Sequence, residues 1–227
     1  MSKRMQFGVI GLGRFGSAIA TTLTELGHDV VGVDGDEERV HQMADTVTQA
    51  IQLDATDAKA LRAAGLDTVD VAVVSIGKNI ESSLLVVMQL HELGVKTVVA
   101  KAVTALHGRI LEKLGVSRVV FPEREMAIRL AHSLVTPNAL DYIELSRDFS
   151  IVELAAPESF VDHSLKQLEL RPRFGLTLIA IKRRAPGSET VETNIAPSAD
   201  ETIRRGDILS LLGSNVRLAE LDRLLGK

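Results

Sequence analysis

The chain of 227 residues has no cysteine, which excludes disulfides and thiolate chemistry and fits a reducing compartment. It has no tryptophan and one tyrosine, too few aromatic faces for a base-stacking platform. Positive charge is not in excess: 26 Lys and Arg stand against 30 Asp and Glu, a formal net charge of −4. That balance argues against nucleic acid as a partner bound by charge. No apolar run approaches the ~20 residues of a membrane-spanning helix. The opening MSKRMQ runs straight into an apolar segment, so no signal peptide is expected. The six histidines show no H-E-x-x-H or related metal spacing. Nor is a Ser-His-Asp or Cys-His set recognisable.

What is present begins with Phe7 to Asp34, FGVIGLGRFGSAIATTLTELGHDVVGVD. It reads as a buried strand, a Gly-rich turn, a helix and a second strand ending in an acid. Gly11, Gly13 and Gly16 set the G-x-G-x-x-G spacing: a tight turn, room for a phosphate at the backbone, and close helix–strand packing. The helix start offers unpaired N–H groups and a positive dipole end to an anion. Asp34 stands where the acid of such units accepts hydrogen bonds from a ribose diol, and it repels a 2′-phosphate, which argues against NADP. Arg14 is unusual, since a cation at a helix N-terminus costs about 0.3–1 kcal/mol unless an anion lies nearby. It points to a phosphate-rich ligand such as ATP or ADP, the plain alternative being a solvated side chain.

Strand–helix alternation continues to residue 121. Asp36 is placed as a helix N-cap, and Asp57 or Thr56 as another. Asp54 and Thr56 follow a third strand, at the sheet edge where such folds bind ligands, although simple capping explains them equally. Val69 to Ile76 suits a strand buried on both faces. Gly94 and Gly115 are placed just past helix ends. The pattern predicts an α/β fold, a Rossmann-like doubly wound sheet of six parallel strands. Pro122-Glu123 opens a further helix, whose stripe Met126, Leu130, Leu134 and additional apolar residues Ile128 and Val135 predict two packing partners, its own sheet and a neighbouring subunit. Thr136-Pro137-Asn138 ends it. Strand-like runs at 150–155, 176–182, 191–195 and 208–212, a helix over 164–170, a turn at Ala185-Pro-Gly-Ser and a closing helix over 215–225 predict a small α+β lobe. The domain boundaries are thus 1–122, 123–138 as helix and linker, and 139–227. That last part lacks the acid/base constellation of an oxidoreductase, so the nucleotide site is expected to sense a ligand and not to turn it over.

GLGRFG, VVGVD, IGKNIESS, VVAKA, LEKLGVSRVVFPEREMAIRLAHSL, FSIVEL and FGLTLIAIKRR together resemble the RCK (KTN) family of potassium-uptake regulatory subunits. The likeness is nearest to the KtrA type, with TrkA more distant. The resemblance implies an RCK N-lobe, a crossover helix and an RCK C-lobe. It implies a homodimer that assembles into an octameric ring at the cytoplasmic face of the cell membrane, under a membrane-embedded potassium transporter. It implies an N-lobe gated by ATP and ADP, with Arg14 reaching the γ-phosphate held by a partner subunit and Asp34 holding the ribose. Phe15, Gly35, Asp36, Asp54, Ala55, Thr56, Ile76, Gly77 and Lys101 would line the rest of the pocket. Glu123 would help to place Mg²⁺ or Ca²⁺, the bare reading being a helix-dipole carboxylate. Some relatives bind cyclic di-AMP between C-lobes, for which Arg171 and Arg173 are candidates beside a solvated basic loop. An NAD(H)-binding redox sensor of the TrkA type is the alternative.

Overall fold

The computed structural model describes residues 3–135, 139–185 and 190–224. The expected break at 136–138, the turn at 186–188, the orientation of Val135 and the end of the closing helix at Leu225 lie outside the described residues. The chain divides into two compact units, Met1–Pro122 and Glu123–Lys227.

The first unit alternates β1 (Gln6–Ile10), α1 (Arg14–Glu25), β2 (Asp29–Asp34), α2 (Glu37–Met43), β3 (Gln49–Gln52), α3 (Ala58–Ala63), β4 (Val71–Val74), α4 (Ile80–Glu92), β5 (Val98–Lys101), α5 (Ala105–Lys113) and β6 (Arg118–Val120). All six strands are parallel, in the order β3-β2-β1-β4-β5-β6. This is the doubly wound sheet expected from the apolar runs. Both faces are covered: Val9 is buried in one core with Leu12, Val30 and Met43. Its neighbour Ile10 is buried in the other with Leu61, Leu90 and Leu111. Successive side chains of a strand point to opposite faces, so a doubly covered strand reads as continuously apolar. Strand order reverses beside β1, and the crevice beyond the carboxyl ends of β1 and β4 is where such sheets receive ligands.

The second unit holds α6 (Pro122–Val135, whose first residue closes the preceding unit), β7 (Ala139–Glu144), β8 (Phe149–Ala155), α7 (Leu165–Leu168), α8 (Leu170–Phe174), β9 (Thr177–Arg184), β10 (Val191–Ile195), β11 (Ile208–Ser214) and α9 (Asn215–Leu224). Its five strands form an antiparallel sheet, β10-β9-β11-β8-β7. One face is apolar, and β8 buries Ser150, Val152 and Leu154 in alternation.

Three expectations need correction. The segment 139–144, where no element was predicted, carries a strand, and its Tyr142 is buried in the core of the second unit. The helix expected over 164–170 is two short helices broken at Glu169, which adopts a left-handed φ of 46°. Pro172 is the reason: inside one continuous helix its ring would strike the carbonyl four residues back. The break places it in a first turn, where proline is tolerated. Finally, the apolar stripe of α6 is open, with Met126, Leu130 and Leu134 exposed by 59%, 55% and 76%. Of the two packing partners expected for the helix, its own sheet is not met by Met126, Ile128, Leu130 or Leu134, which are all exposed. What anchors α6 in its unit is polar and aromatic: Arg129 forms a bidentate pair with Asp141, and His132 stacks on Tyr142 at 4.4 Å.

Candidate functional site

The site begins where β1 ends. Gly11 takes φ 95°, and its N–H donates to the Val33 carbonyl at 2.8 Å while the Ile10 carbonyl accepts from Ser75 N–H at 2.7 Å. The turn is thereby tied to both neighbouring strands. A Cβ on Gly11 would lie 3.3 Å from the backbone nitrogen of Ile76. Gly13 has an ordinary φ of −68° and caps α1 without a side chain. A Cβ there would meet only the Arg39 Nη1, at 3.8 Å. This is open backbone at a helix start, fit for an anion. A Cβ on Gly16 would stand 1.8 Å from the Gly11 carbonyl oxygen, so this glycine is required by packing.

Arg14 is the first residue of α1, exposed, with no acid in the first turn to offset it. Its side chain has no ion pair or hydrogen bond among the described residues. Next to it, Phe15 lies under the ammonium of Lys101, which ends β5, at 5.7 Å from the ring centroid. That ammonium is also 3.6 Å from where a Cβ of Gly77 would sit. Phe15, Gly77 and Lys101, from three separate stretches of sequence, are brought together.

Asp34 ends β2 with its side chain only 11% exposed. Its Oδ2 accepts from Leu12 N–H at 2.7 Å and its Oδ1 from Asp36 N–H at 2.9 Å. The acid therefore grips the Gly-rich turn as well as its own strand end. Asp36 caps α2 by accepting from Glu38 N–H and Arg39 N–H, as expected of a residue before a helix. Sequence reasoning missed Arg39. Its Nη1 lies 3.4 Å from Asp34 Oδ2 and its Nε 3.5 Å from Asp36 Oδ2. One signal was available: like Arg14, it is a cation in the first turn of a helix, where the dipole disfavours it.

The remaining candidates are more dispersed. Gly35 follows Asp34, and its carbonyl accepts from the Gln52 amide. Asp54 is exposed and spends one oxygen on Thr56, accepting from its N–H at 2.9 Å and its hydroxyl at 2.7 Å. Those bonds hold its carboxyl below the ordinary range. Ala55 lies inside that turn, Asp57 caps α3, and the Thr56 carbonyl accepts from Gln89. Leu53, just before this turn, donates its N–H to the Asp34 carbonyl at 3.1 Å, but no hydrogen bond joins the turn to the Asp34 side chain among the described residues. Glu123 belongs to the second unit, in the first turn of α6 beside Glu125. Among the described residues no three His, Cys, Asp or Glu side chains group as a metal site. Arg171 and Arg173 are exposed on α8, and the Arg173 guanidinium stacks on Phe174 at 5.1 Å. Two residues apart on a helix, they do not face the same way.

The arrangement suits a ribose-phosphate: an acid to accept hydroxyl protons, a bare glycine beside a helix start, and cations at its edge. No described helix is long and apolar enough to cross a membrane. The TrkA-N domain family matches residues 7–122 and the TrkA-C domain family residues 149–226. The Ktr system potassium uptake protein C of Bacillus subtilis is 39% identical over 97% of each chain. Ktr system potassium uptake protein A of the same organism is 37% identical over 93% of this chain and 92% of its own. Among solved structures, the GsuK channel superposes with a TM-score of 0.68 at 20% identity, and the GsuK channel bound to NAD with 0.63 at 18%. Each covers 99% of this chain, which spans 40% of those chains, and at that identity the likeness concerns the fold. With both domains matched in order and the Ktr relatives aligned end to end, the chain belongs to the TrkA-N/TrkA-C family of RCK potassium-uptake proteins, of the Ktr type.

Proposed function

We propose that the chain is a cytoplasmic, nucleotide-gated regulatory subunit of a membrane potassium transporter, and not an enzyme. The observation that carries this reading is the open backbone at Gly13 with the Asp34 carboxylate beside it. ATP and ADP share the ribose and the first two phosphates. Only ATP offers a γ-phosphate for an Arg14 supplied by a neighbouring copy. A ligand shifts a conformational equilibrium only by its differential affinity for the two states. Moving one from mostly inactive to mostly active takes about 5.5 kcal/mol, a load that several sites in an octameric ring would share. The open stripe of α6 supports pairing of two copies, since apolar residues left exposed in a row mark an interaction surface.

A divalent cation enters this reading through Glu123. One carboxylate is a poor site alone, but Mg²⁺ is commonly held by one or two carboxylates together with ligand phosphates. Titration calorimetry with ATP, ADP and NADH, with and without Mg²⁺, tests the whole. The expected result is tighter binding of the adenine nucleotides than of NADH, and a cation effect on ATP that Glu123→Gln abolishes. Arg14→Ala is expected to weaken ATP more than ADP. Equal loss of both removes the γ-phosphate role, and tight NADH with weak ATP replaces the reading by a redox sensor.

A further inference from the structure

We infer that Arg39 is a second phosphate-binding cation of the nucleotide site, supplied by the same chain that holds the ribose, and released from Asp34 when ligand binds. The inference rests on the nucleotide reading above and concerns a residue which that reading does not use. A carboxylate offers about four acceptor positions. In Asp34 three are filled: Oδ1 by Asp36 N–H, and Oδ2 by Leu12 N–H and the Arg39 guanidinium. A ribose diol brings two donors, one more than the position left. The two backbone bonds are short, at 2.7 and 2.9 Å, whereas the Arg39 contact is 3.4 Å. Arg39 is therefore the partner that yields.

The displaced guanidinium has somewhere to go. Its Nη1 already lies 3.8 Å from the position of a Cβ on Gly13, the point at which this type of turn lets a phosphate approach. The side chain is 35% exposed, so part of it already faces the solvent from which a phosphate would arrive. Planar, bidentate recognition of phosphate oxygens is what a guanidinium does best. Where it stands, the same group neutralises Asp34 and Asp36, which would otherwise repel an incoming anion. Arg39 thus screens the two acids before binding and holds the phosphates afterwards. Because it acts on phosphates that ATP and ADP share, it contributes affinity without discrimination. Arg14 is left to tell the two apart.

The test compares ADP with adenosine, which has the ribose but no phosphate, by calorimetry and by competition against a fluorescent ADP. Arg39→Gln is expected to weaken ADP roughly tenfold or more, the size of a lost charge-assisted hydrogen bond. Adenosine is expected to bind unchanged or more tightly, because Asp34 gains a free position. Arg39→Lys, which keeps the charge, is expected to restore part of the ADP affinity. Equal weakening of ADP and adenosine would make Arg39 a mere support for Asp34 and overturn the inference. So would an unaltered ADP affinity. Failure of the unaltered protein to bind ADP or adenosine would instead sink the nucleotide site itself. Thermal midpoints of both variants without ligand separate a binding loss from a folding loss.

Discussion

Gly16 stands so close to Gly11 that a methyl group on it would lie 1.8 Å from the Gly11 carbonyl oxygen. The obstacle is backbone, which cannot rotate away. The first turn of α1 and the end of β1 are thus pressed together, and this contact holds the Gly-rich turn in shape.

Gly13, three residues earlier, is the opposite case, with an ordinary φ and nothing but the Arg39 tip near its missing side chain. Gly16→Ala is expected to destabilise the protein by about 1–3 kcal/mol, as overpacking does. Gly13→Ala is expected to cost about 1 kcal/mol or less, since alanine is a poorer helix N-cap than glycine but meets no backbone, while weakening nucleotide. Denaturant melts and calorimetry on both variants check this. A Gly13→Ala protein that binds ADP normally would place the phosphates elsewhere.

Arg183 of β9 and Asp207 form the most buried ion pair described in the second unit. Arg183 Nε and Nη2 donate to the two Asp207 oxygens at 2.8 and 2.7 Å, and Asp207 is 1% exposed. Glu201 adds a second acid at 3.2 Å, and these partners raise the guanidinium pKa. Arg183→Met is expected to cost about 3 kcal/mol, because it leaves a buried carboxylate unpaired. Adding Asp207→Asn should recover part of the loss. A double-mutant cycle by urea unfolding measures the coupling.

His107, on α5, is 1% exposed, and its Nδ1 accepts from Val103 N–H at 3.4 Å. Burial lowers its pKa from the ordinary 6.5. Between the lowered folded value and the unfolded one, the unfolded chain binds more protons, so stability rises with pH across that window. The thermal midpoint is expected to fall as pH drops below about 6.5. His107→Leu should flatten that slope whatever it does to the midpoint itself. An unchanged slope would assign the acid sensitivity to other groups.

The parallel sheet was legible because its strands are buried on both faces and read as unbroken apolar runs. VDVAVVSI admits little else. The strand β7 was not, since ALDYIE mixes helix formers with strand formers and leaves Leu140 and Ile143 exposed by 58% and 40%, so no clean alternation shows. The glycines and Asp34 were named from spacing and Lys101 from resemblance, and the fold brings Lys101 over Phe15 beside the Gly-rich turn. Arg39 was hidden for a different reason: its contact to the Gly-rich turn crosses from α2 to the loop after β1, a juxtaposition that no local pattern encodes. The open face of α6 was legible as apolar, but what covers it was assigned partly to the chain's own sheet, because a periodic pattern tells how much must be buried and not by what.

That uncovered face changes what a stability measurement on this protein means. In the proposed pairing two copies bury Met126, Leu130 and Leu134 against each other, and part of the folding free energy would then be association. The melting temperature then carries a logarithmic dependence on protein concentration. A substitution on the stripe would look harmless in a concentrated sample and harmful in a dilute one. Variants of the nucleotide site are therefore comparable only at matched protomer concentration.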